Sequence, residues 1–169
     1  MRLEFNPVRL STVKRYLIIE NVRSAYNVGA MFRTAEGAGV DQIFLCGYTP
    51  TPTDRFGRAQ AEIEKTSLGA SAIVPWKHVV DCVALVGGLQ KTGVRVVAVE
   101  LTAAAIPLSQ YAPNTQAVAY ILGNEVTGVT KEVLGVVDQV VCLPMRGQKE
   151  SLNVSVVAGI VMYYDVLKN

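Results

Sequence analysis

The sequence predicts an α/β fold, with a mostly parallel sheet flanked by helices, from three observations. Short runs rich in Val, Ile and Leu alternate along the chain with longer stretches typical of helices. The runs are apolar at nearly every position, as in strands that are covered on both faces. This alternation favours right-handed crossovers between parallel strands. A length of 169 residues, 50% of them apolar, fits one domain with a sizeable core.

Five apolar runs predict the strands. They are Tyr16–Ile19, Gln42–Leu45, Val94–Val99, Ala117–Leu122 and Val140–Leu143. The third and fourth are rich in β-branched residues and are expected at the centre of the sheet. The fifth ends before Pro144, which has no N–H to donate to a neighbouring strand.

Five further stretches predict helices. They are Val28–Ala38, Ala59–Leu68, Val79–Lys91, Lys131–Val136 and Leu152–Lys168. Glycines near the ends of the first and third are typical of helix C-termini. Segment 47–58, rich in Pro and Gly and with two arginines, predicts a loop. No linker or repeat divides the chain, so we expect a single domain over 1–169 that includes a basic N-terminal arm, 1–14.

The last predicted helix is apolar on nearly every face. A helix without a polar face is normally buried all round. Because this helix ends a small domain, we expect it to pack on the sheet on one side and on a second subunit on the other. Burial in the core alone is the alternative.

Several classes of protein are excluded or disfavoured. Three widely spaced cysteines, Cys46, Cys82 and Cys142, indicate free thiols in a reducing compartment. No secretory leader or membrane-length apolar run is found, so we expect a cytoplasmic protein without a membrane partner. Phosphate-loop and GxGxxG patterns are absent. His78 is the sole histidine; we expect no metal and place it in a loop or on the surface.

Charge is distributed unevenly. The net charge is +2, but residues 1–33 hold six cations and two acids, a local +4, which leaves −2 for the remainder. Such asymmetry indicates a surface that faces an anionic partner. A solvated N-terminal arm is the alternative.

Polar residues follow three of the predicted strands. Asn27 and Arg33 follow the first, Glu125 the fourth, and Ser151 and Asn153 the last. Each of them also has a purely structural explanation. Asn27 and Ser151 fit helix caps, Glu125 fits a carboxylate near a helix N-terminus, and Arg33 fits a surface charge. Open α/β sheets bind ligands at the carboxyl ends of their strands. Together, these residues therefore predict a site.

Three ordered motifs in this chain resemble those of the SpoU/TrmH family, the AdoMet-dependent RNA ribose 2′-O-methyltransferases of the SPOUT superfamily. The motifs are Asn27–Gly39, Leu122–Gly128 and Pro144–Ser155, and the similarity runs from about residue 16 to 167. One departure is Val126, where the family often has glycine; a side chain there could alter the backbone freedom of the loop.

The resemblance implies a Rossmann-like sheet with a deep C-terminal trefoil knot, and a homodimer formed over the knot and the last helix. It also implies S-adenosyl-L-methionine (AdoMet) bound in a bent pose by the knot loops. The matching cofactor positions are Leu122, Gly123, Leu143, Pro144, Met145 and Leu152. The matching polar catalytic set is Asn27, Arg33, Glu125, Ser151 and Asn153.

In the implied reaction, a ribose 2′-hydroxyl loses its proton as it attacks the AdoMet methyl carbon, with much of the rate supplied by positioning. Arginine normally stays protonated. We therefore hypothesise that Arg33, reaching in from the partner subunit, acts as a base when perturbed by the RNA phosphate, or else orients and stabilises the developing alkoxide. Asn27 and Asn153 would hold the ribose and Arg33, while Glu125 and Ser151 fix the loops.

Cations outside this set predict contacts with RNA phosphates. They are Arg9, Arg15, Arg23, Arg55, Arg58, Lys65, Arg146 and Lys149. The substrate is expected to be tRNA or rRNA, with a weak preference for tRNA. Two alternatives remain: a non-catalytic, knotted RNA-binding dimer that acts in RNA folding or assembly, and an AdoMet enzyme with a small-molecule substrate.

Overall fold

One seven-stranded sheet organises the chain. The structure is a computed structural model that describes residues 13–113 and 117–168. The strands are β1 Arg15–Glu20, β2 Gln42–Cys46, β3 Trp76–Val79, β4 Arg95–Val99, β5 Ile106–Pro107, β6 Val118–Leu122 and β7 Gln139–Cys142. They lie in the order β3-β2-β1-β6-β4-β7-β5, and each neighbouring pair is parallel. The predicted fold class is confirmed.

Helices cover both faces of this sheet. They are α1 Ala25–Gly37, α2 Ala61–Ser67, α3 Ala70–Ile73, α4 Cys82–Lys91, α5 Lys131–Leu134 and α6 Val154–Lys168, with a 3-10 turn at Leu108–Gln110. On β1, Leu17 and Ile19 belong to an apolar cluster with α1 and α6, whereas Ile18 belongs to a second cluster with α4 and α5. All three side chains are fully buried, which explains why the strand is apolar at successive positions.

Two strands were not predicted. β3 has exposed side chains at Lys77 and His78, so it lacks the continuous apolar run of the central strands. Because this strand was missed, the predicted third helix began at Val79, whereas α4 begins at Cys82. β5 has only two residues. His78 is on the surface, as expected, but in edge strand β3 rather than in a loop, with Nε2 2.8 Å from the carbonyl oxygen of Gly47.

A buried ion pair joins the last helix to the first strand. Arg15 Nε lies 2.5 Å from Asp165 Oδ2, and the hydroxyl of Tyr120 donates to Asp165 Oδ1 at 3.1 Å. Asp165 is fully buried and Arg15 is 7% exposed. Burial, followed by the nearby Asp165 charge, raises the pKa of Tyr120. The Arg15 side chain, which the sequence assigned to contacts with RNA, is instead paired inside the protein and is not presented to a ligand.

One face of α6 is not covered within a single chain. The buried positions of the helix include Ala158, Val161 and Asp165. Its exposed apolar residues are Val156, Ile160, Tyr163 and Leu167. The complete burial expected from the sequence is therefore not reached inside one copy. Within residues 13–113 and 117–168, no helix combines the length and apolar character needed to cross a membrane.

We predict that Asp165→Asn lowers the free energy of unfolding by about 3–5 kcal/mol, because it leaves the buried guanidinium of Arg15 without its carboxylate. Urea unfolding followed by circular dichroism measures this change. Glu132→Gln, an exposed carboxylate on α5, is the control and should change the value by less than about 0.5 kcal/mol. Equal changes in the free energy of unfolding for the two variants would contradict the stabilising role of the Arg15–Asp165 ion pair.

Candidate active site

A cavity of about 730 Å³ opens at the carboxyl edge of the sheet. It is lined by the ends of β4, β6 and β7 and by the loops that follow them. Five of the six predicted cofactor positions line it: Leu122, Gly123, Leu143, Met145 and Leu152. Pro144 is exposed and is not among the lining residues. Glu125, Ser151 and Lys149 supply polar groups to the wall.

The loop after β6 closes on itself through its backbone. Asn124 and Gly128 exchange two backbone hydrogen bonds, of 3.1 and 3.0 Å. A Cβ on Gly123 would lie 2.2 Å from the backbone of Gly128 and Val129, so this glycine is required by the chain's own packing. Gly128 has a φ of +71°, whereas Val126 is not among the residues with positive φ. The Val126 side chain therefore causes no backbone strain; it is 81% exposed at the cavity wall.

Two carboxylates at the ends of β1 and β4, the strands on either side of β6, hold the same loop. Glu20, the last residue of β1, accepts hydrogen bonds from the backbone N–H and the hydroxyl of Thr130, at 3.0 and 2.7 Å. Glu100, directly after β4, accepts from the N–H of Val129 at 2.9 Å. The sequence analysis missed both. An acid at the end of an otherwise apolar strand was the available signal.

Glu125 ties this loop to the start of α1. Its carboxylate accepts hydrogen bonds from the backbone N–H groups of Arg23 and Ser24, at 3.0 and 3.2 Å, and from Asn27 Nδ2 at 3.0 Å. Burial acts to raise the pKa of Glu125, but the hydrogen bonds, with that from Arg23 foremost, outweigh it and lower the pKa. The carboxylate is therefore ionised at neutral pH and serves to position the loops.

Asn27 also connects to the third loop. Asn153 Nδ2 donates to Asn27 Oδ1 at 3.1 Å, so both ends of the Asn27 amide are engaged. Asn153 caps α6, because its Oδ1 accepts from the backbone N–H of Ser155 at 2.8 Å. The cap of α1 is Ser24, whose side chain accepts from the N–H of Asn27. The alternative cap assignments for Asn27 and Ser151 are therefore wrong, since Ser24 and Asn153 fill those places.

A further contact set brings in the loop after β2. Asn124 is buried, and its Nδ2 donates to the carbonyl of Asn21 at 2.9 Å and to the Tyr48 hydroxyl at 3.0 Å. Asn21 has a φ of +55°, and its Oδ1 accepts from the N–H of Tyr48 at 3.3 Å. The sequence analysis gave none of the three a role, because their partners lie on different strands.

Arg33 lies apart from this cluster within one chain. It is exposed on α1 and is not among the residues that line the cavity. Six helical residues after Asn27, it points about 120° away around the helix axis. One copy thus brings together Asn27, Glu125 and Asn153 by hydrogen bonds and places Ser151 on the cavity wall, but it does not bring Arg33 to them.

The predicted RNA-contacting cations differ in their surroundings. Arg9 lies outside the described residues. The exposed ones are Arg23, Arg55, Arg58, Lys65, Arg146 and Lys149. Arg58 is paired with Asp54, at 2.7 Å. In the part of the chain that the structure describes, no group of three or more His, Cys, Asp or Glu side chains is placed to hold a metal ion.

The fold and the site define a class: a parallel α/β protein with a ligand cavity at the carboxyl edge, bordered by polar side chains from three strand-end loops. The chain belongs to the SpoU rRNA methylase family, whose model matches residues 14–163. This confirms the resemblance seen in the three motifs.

Individual relatives agree with this assignment. The chain is 34% identical over 156 residues to the 23S rRNA (guanosine(2553)-2′-O)-methyltransferase RlmP of Bacillus subtilis, covering 92% of this chain and 59% of that protein. A crystal structure of an AdoMet-bound rRNA methyltransferase from Sinorhizobium meliloti superposes with a TM-score of 0.81 at 25% identity, covering 90% and 55% of the two chains.

An A. aeolicus TrmH/SpoU tRNA modifying enzyme shares the fold, with a TM-score of 0.81, 23% identity and coverage of 94% and 76%. The chain spans just over half the length of the curated relatives it matches.

We predict that Gly123→Ala lowers the free energy of unfolding by about 1–3 kcal/mol, because the added Cβ collides with the backbone of Gly128 and Val129. Gly147→Ala is the matched control in the same cavity wall, since a Cβ there meets no atom within 4 Å. Urea unfolding of both variants tests this, and an unchanged Gly123→Ala stability would refute the packing requirement.

We also predict that the stabilising effect of Glu125 depends on pH. The pKa of Glu125 in the folded protein lies below the ordinary value for a glutamate, about 4.5. Its contribution to stability is therefore fully present above that ordinary value and is lost as the pH falls through the folded pKa. Glu125→Gln should therefore reduce the free energy of unfolding by about 1 kcal/mol at pH 7.

The measurement is urea unfolding of both proteins from neutral to acid pH. The difference in the free energy of unfolding between the wild type and Glu125→Gln should narrow below about pH 4.5. A difference that stays constant down to strongly acid pH would show that the charge of Glu125 is not responsible.

Proposed function

We propose that this chain is an AdoMet-dependent RNA methyltransferase that transfers a methyl group to a ribose 2′-hydroxyl. The observation that carries the proposal is the hydrogen-bonded series Glu125–Asn27–Asn153, which joins three strand-end loops beside the cavity. The family membership and the 2′-O-methyltransferase named among the relatives support the same reaction.

The residues around the cavity fit AdoMet. A volume near 730 Å³ is within the range of small-molecule sites. The aliphatic side chains of Leu122, Leu143 and Leu152 suit the adenine ring, and the backbone of the loops beside them offers hydrogen-bonding groups. Gln148 and Ser151 on the same wall suit the polar methionine end. When bound, AdoMet supplies an electrophilic methyl group.

The chain's own residues divide the remaining work. Glu125 is ionised, but its oxygens already accept three hydrogen bonds, so it orders the loops and does not take the substrate proton. Asn27 and Asn153 are joined by hydrogen bonds to Glu125 of the cavity wall. Each uses one of its two Nδ2 N–H groups in this series, which leaves the second to donate to the ribose. Arg33 supplies the group that orients the 2′-oxygen and stabilises its developing negative charge, while the 2′-hydroxyl proton leaves to solvent water.

Arg33 reaches the cavity of a second copy. The uncovered apolar residues of α6, with Ile160 and Tyr163 near its middle, form a face on which two copies can pack. A Cβ on Gly37 would lie 3.0 Å from the Tyr163 hydroxyl, so the C-terminal end of α1 borders this face. Arg33, exposed one turn earlier on the same helix, is thereby presented toward the partner. This supports a homodimer with sites formed from both chains.

The exposed cations around the site support an RNA substrate, through contacts with its phosphates. The relative at 34% identity is named as a 23S rRNA enzyme, which favours rRNA over tRNA, the reverse of the weak preference drawn from the sequence. A cytoplasmic location, a single catalytic domain over 1–169 with a basic arm at 1–14, and the C-terminal trefoil knot are further parts of the proposal.

We predict that Arg33→Ala abolishes methyl transfer to RNA while the affinity for AdoMet stays within about twofold, because the proposed role of Arg33 is to act on the ribose 2′-oxygen and not on AdoMet. Methyl transfer is measured with labelled AdoMet and RNA from cells that lack the gene, and AdoMet affinity by calorimetry. Lys91→Ala, an exposed cation at the end of α4, is the control and should remain active.

Mixing two inactive variants tests the shared site. Gly123→Ala displaces the loop that lines the cavity, which we expect to abolish activity, but it keeps Arg33; Arg33→Ala does the reverse. If each site takes Arg33 from the other chain, an equal mixture of the two after exchange should regain about a quarter of wild-type activity. No recovery, in a mixture shown to contain heterodimers, would contradict the shared site. For Arg33→Ala alone, a loss of AdoMet affinity as large as its loss of methyl transfer would contradict the proposed role of Arg33.

A further inference from the structure

A small hairpin projects from the loop after β2. Thr53 and Ala59 form an antiparallel bridge, and residues 54–58 turn between them. Phe56 lies in the turn and is 67% exposed. Most of its surface is therefore left uncovered by the described residues.

Asp54 holds the turn in one conformation. Its carboxylate accepts hydrogen bonds from the N–H of Phe56 at 2.8 Å, from the N–H of Arg58 at 3.0 Å and from Arg58 Nε at 2.7 Å. The backbone hydrogen bond from Arg58, ahead of the others, lowers the pKa of Asp54. Gly57, with a φ of +76°, completes the turn. Phe56 is therefore presented by a preformed loop, and binding to it needs little ordering.

Two guanidinium groups flank the Phe56 ring. Arg55 Cζ lies 4.8 Å and Arg58 Cζ 5.1 Å from its centroid. Phe56 nevertheless remains two-thirds exposed, so the two guanidinium groups leave much of the residue open. A nucleobase stacks on an aromatic ring, while nearby arginines attract its phosphate. The tip combines both requirements within four residues.

The base of this hairpin is anchored to the site. Tyr48, at the start of the same loop, accepts a hydrogen bond from Asn124, which lines the cavity. The hairpin and the cavity thus rise from the same edge of the sheet. The tip and the cavity therefore lie on the same side of the sheet, as the binding of one RNA to both requires.

We propose that Phe56, flanked by Arg55 and Arg58, stacks against an unpaired base of the RNA substrate. This deepens the proposed function, on which it rests, and names the substrate class as single-stranded or loop RNA. The bases of a continuous A-form duplex are stacked on one another and leave no face free for a side chain.

Binding is tested with a short single-stranded oligoribonucleotide that carries 2-aminopurine, and with the same strand annealed to its complement. The wild-type chain should bind the single strand more tightly and quench its fluorescence. Phe56→Ala should weaken this binding roughly 5- to 150-fold, and Phe56→Trp should retain it. Ile73→Ala, an exposed apolar side chain on α3, is the control and should bind as the wild type does.

Equal affinity of wild type and Phe56→Ala for the single strand, or equal wild-type affinity for strand and duplex, would overturn the proposal. In the methyl-transfer assay, Phe56→Ala should raise KM for RNA with kcat and AdoMet affinity little changed. If the wild type is active and Phe56→Ala has the same KM for RNA, the stacking role is refuted while the proposed function stands. A wild type that binds the strand through Phe56 but transfers no methyl group refutes the proposed function instead.

Discussion

The site depends first on one carboxylate, that of Glu125. The sheet order places β6 beside β1, so the loops that follow these two strands emerge together, and Glu125 from one accepts the N–H groups that open α1 in the other. These N–H groups belong to Arg23 and Ser24, directly before α1, so the carboxylate lies at the positive end of the helix. The carboxylate therefore stays ionised, fixes Asn27, and through Asn27 fixes Asn153.

The last helix is located by polar contacts at its two ends. Asn153 caps its start and contacts Asn27, while Asp165 near its other end pairs with Arg15. These residues are about 18 Å apart along a helix. Apolar packing is non-directional, and these two contacts supply the register that an almost wholly apolar helix lacks. They leave Ile160 and Tyr163 exposed for a second copy of the chain.

The sequence predicted the features that depend on local pattern. Continuous apolar runs identified five of the seven strands, and the order of the motifs identified the polar residues that meet at the sheet edge. The prediction failed where the role of a residue depends on contacts with segments that are distant along the chain. Arg15 looked like a surface cation until Asp165, distant along the chain, proved to be its buried partner. Gly123 lines the cavity, as its motif predicted, but no local pattern showed that its backbone neighbours also require a glycine there. Glu20 and Glu100 act on a loop that no local pattern connects to them.

The most direct test of the account is a map of 2′-O-methylated nucleotides in total RNA from cells with the gene, without it, and with the gene restored. The account predicts that methylation disappears at a defined nucleotide, located in an unpaired segment, and returns when the wild-type gene is restored. Identical maps with and without the gene, under conditions in which the protein is made, would contradict the claim that this chain is an RNA 2′-O-methyltransferase.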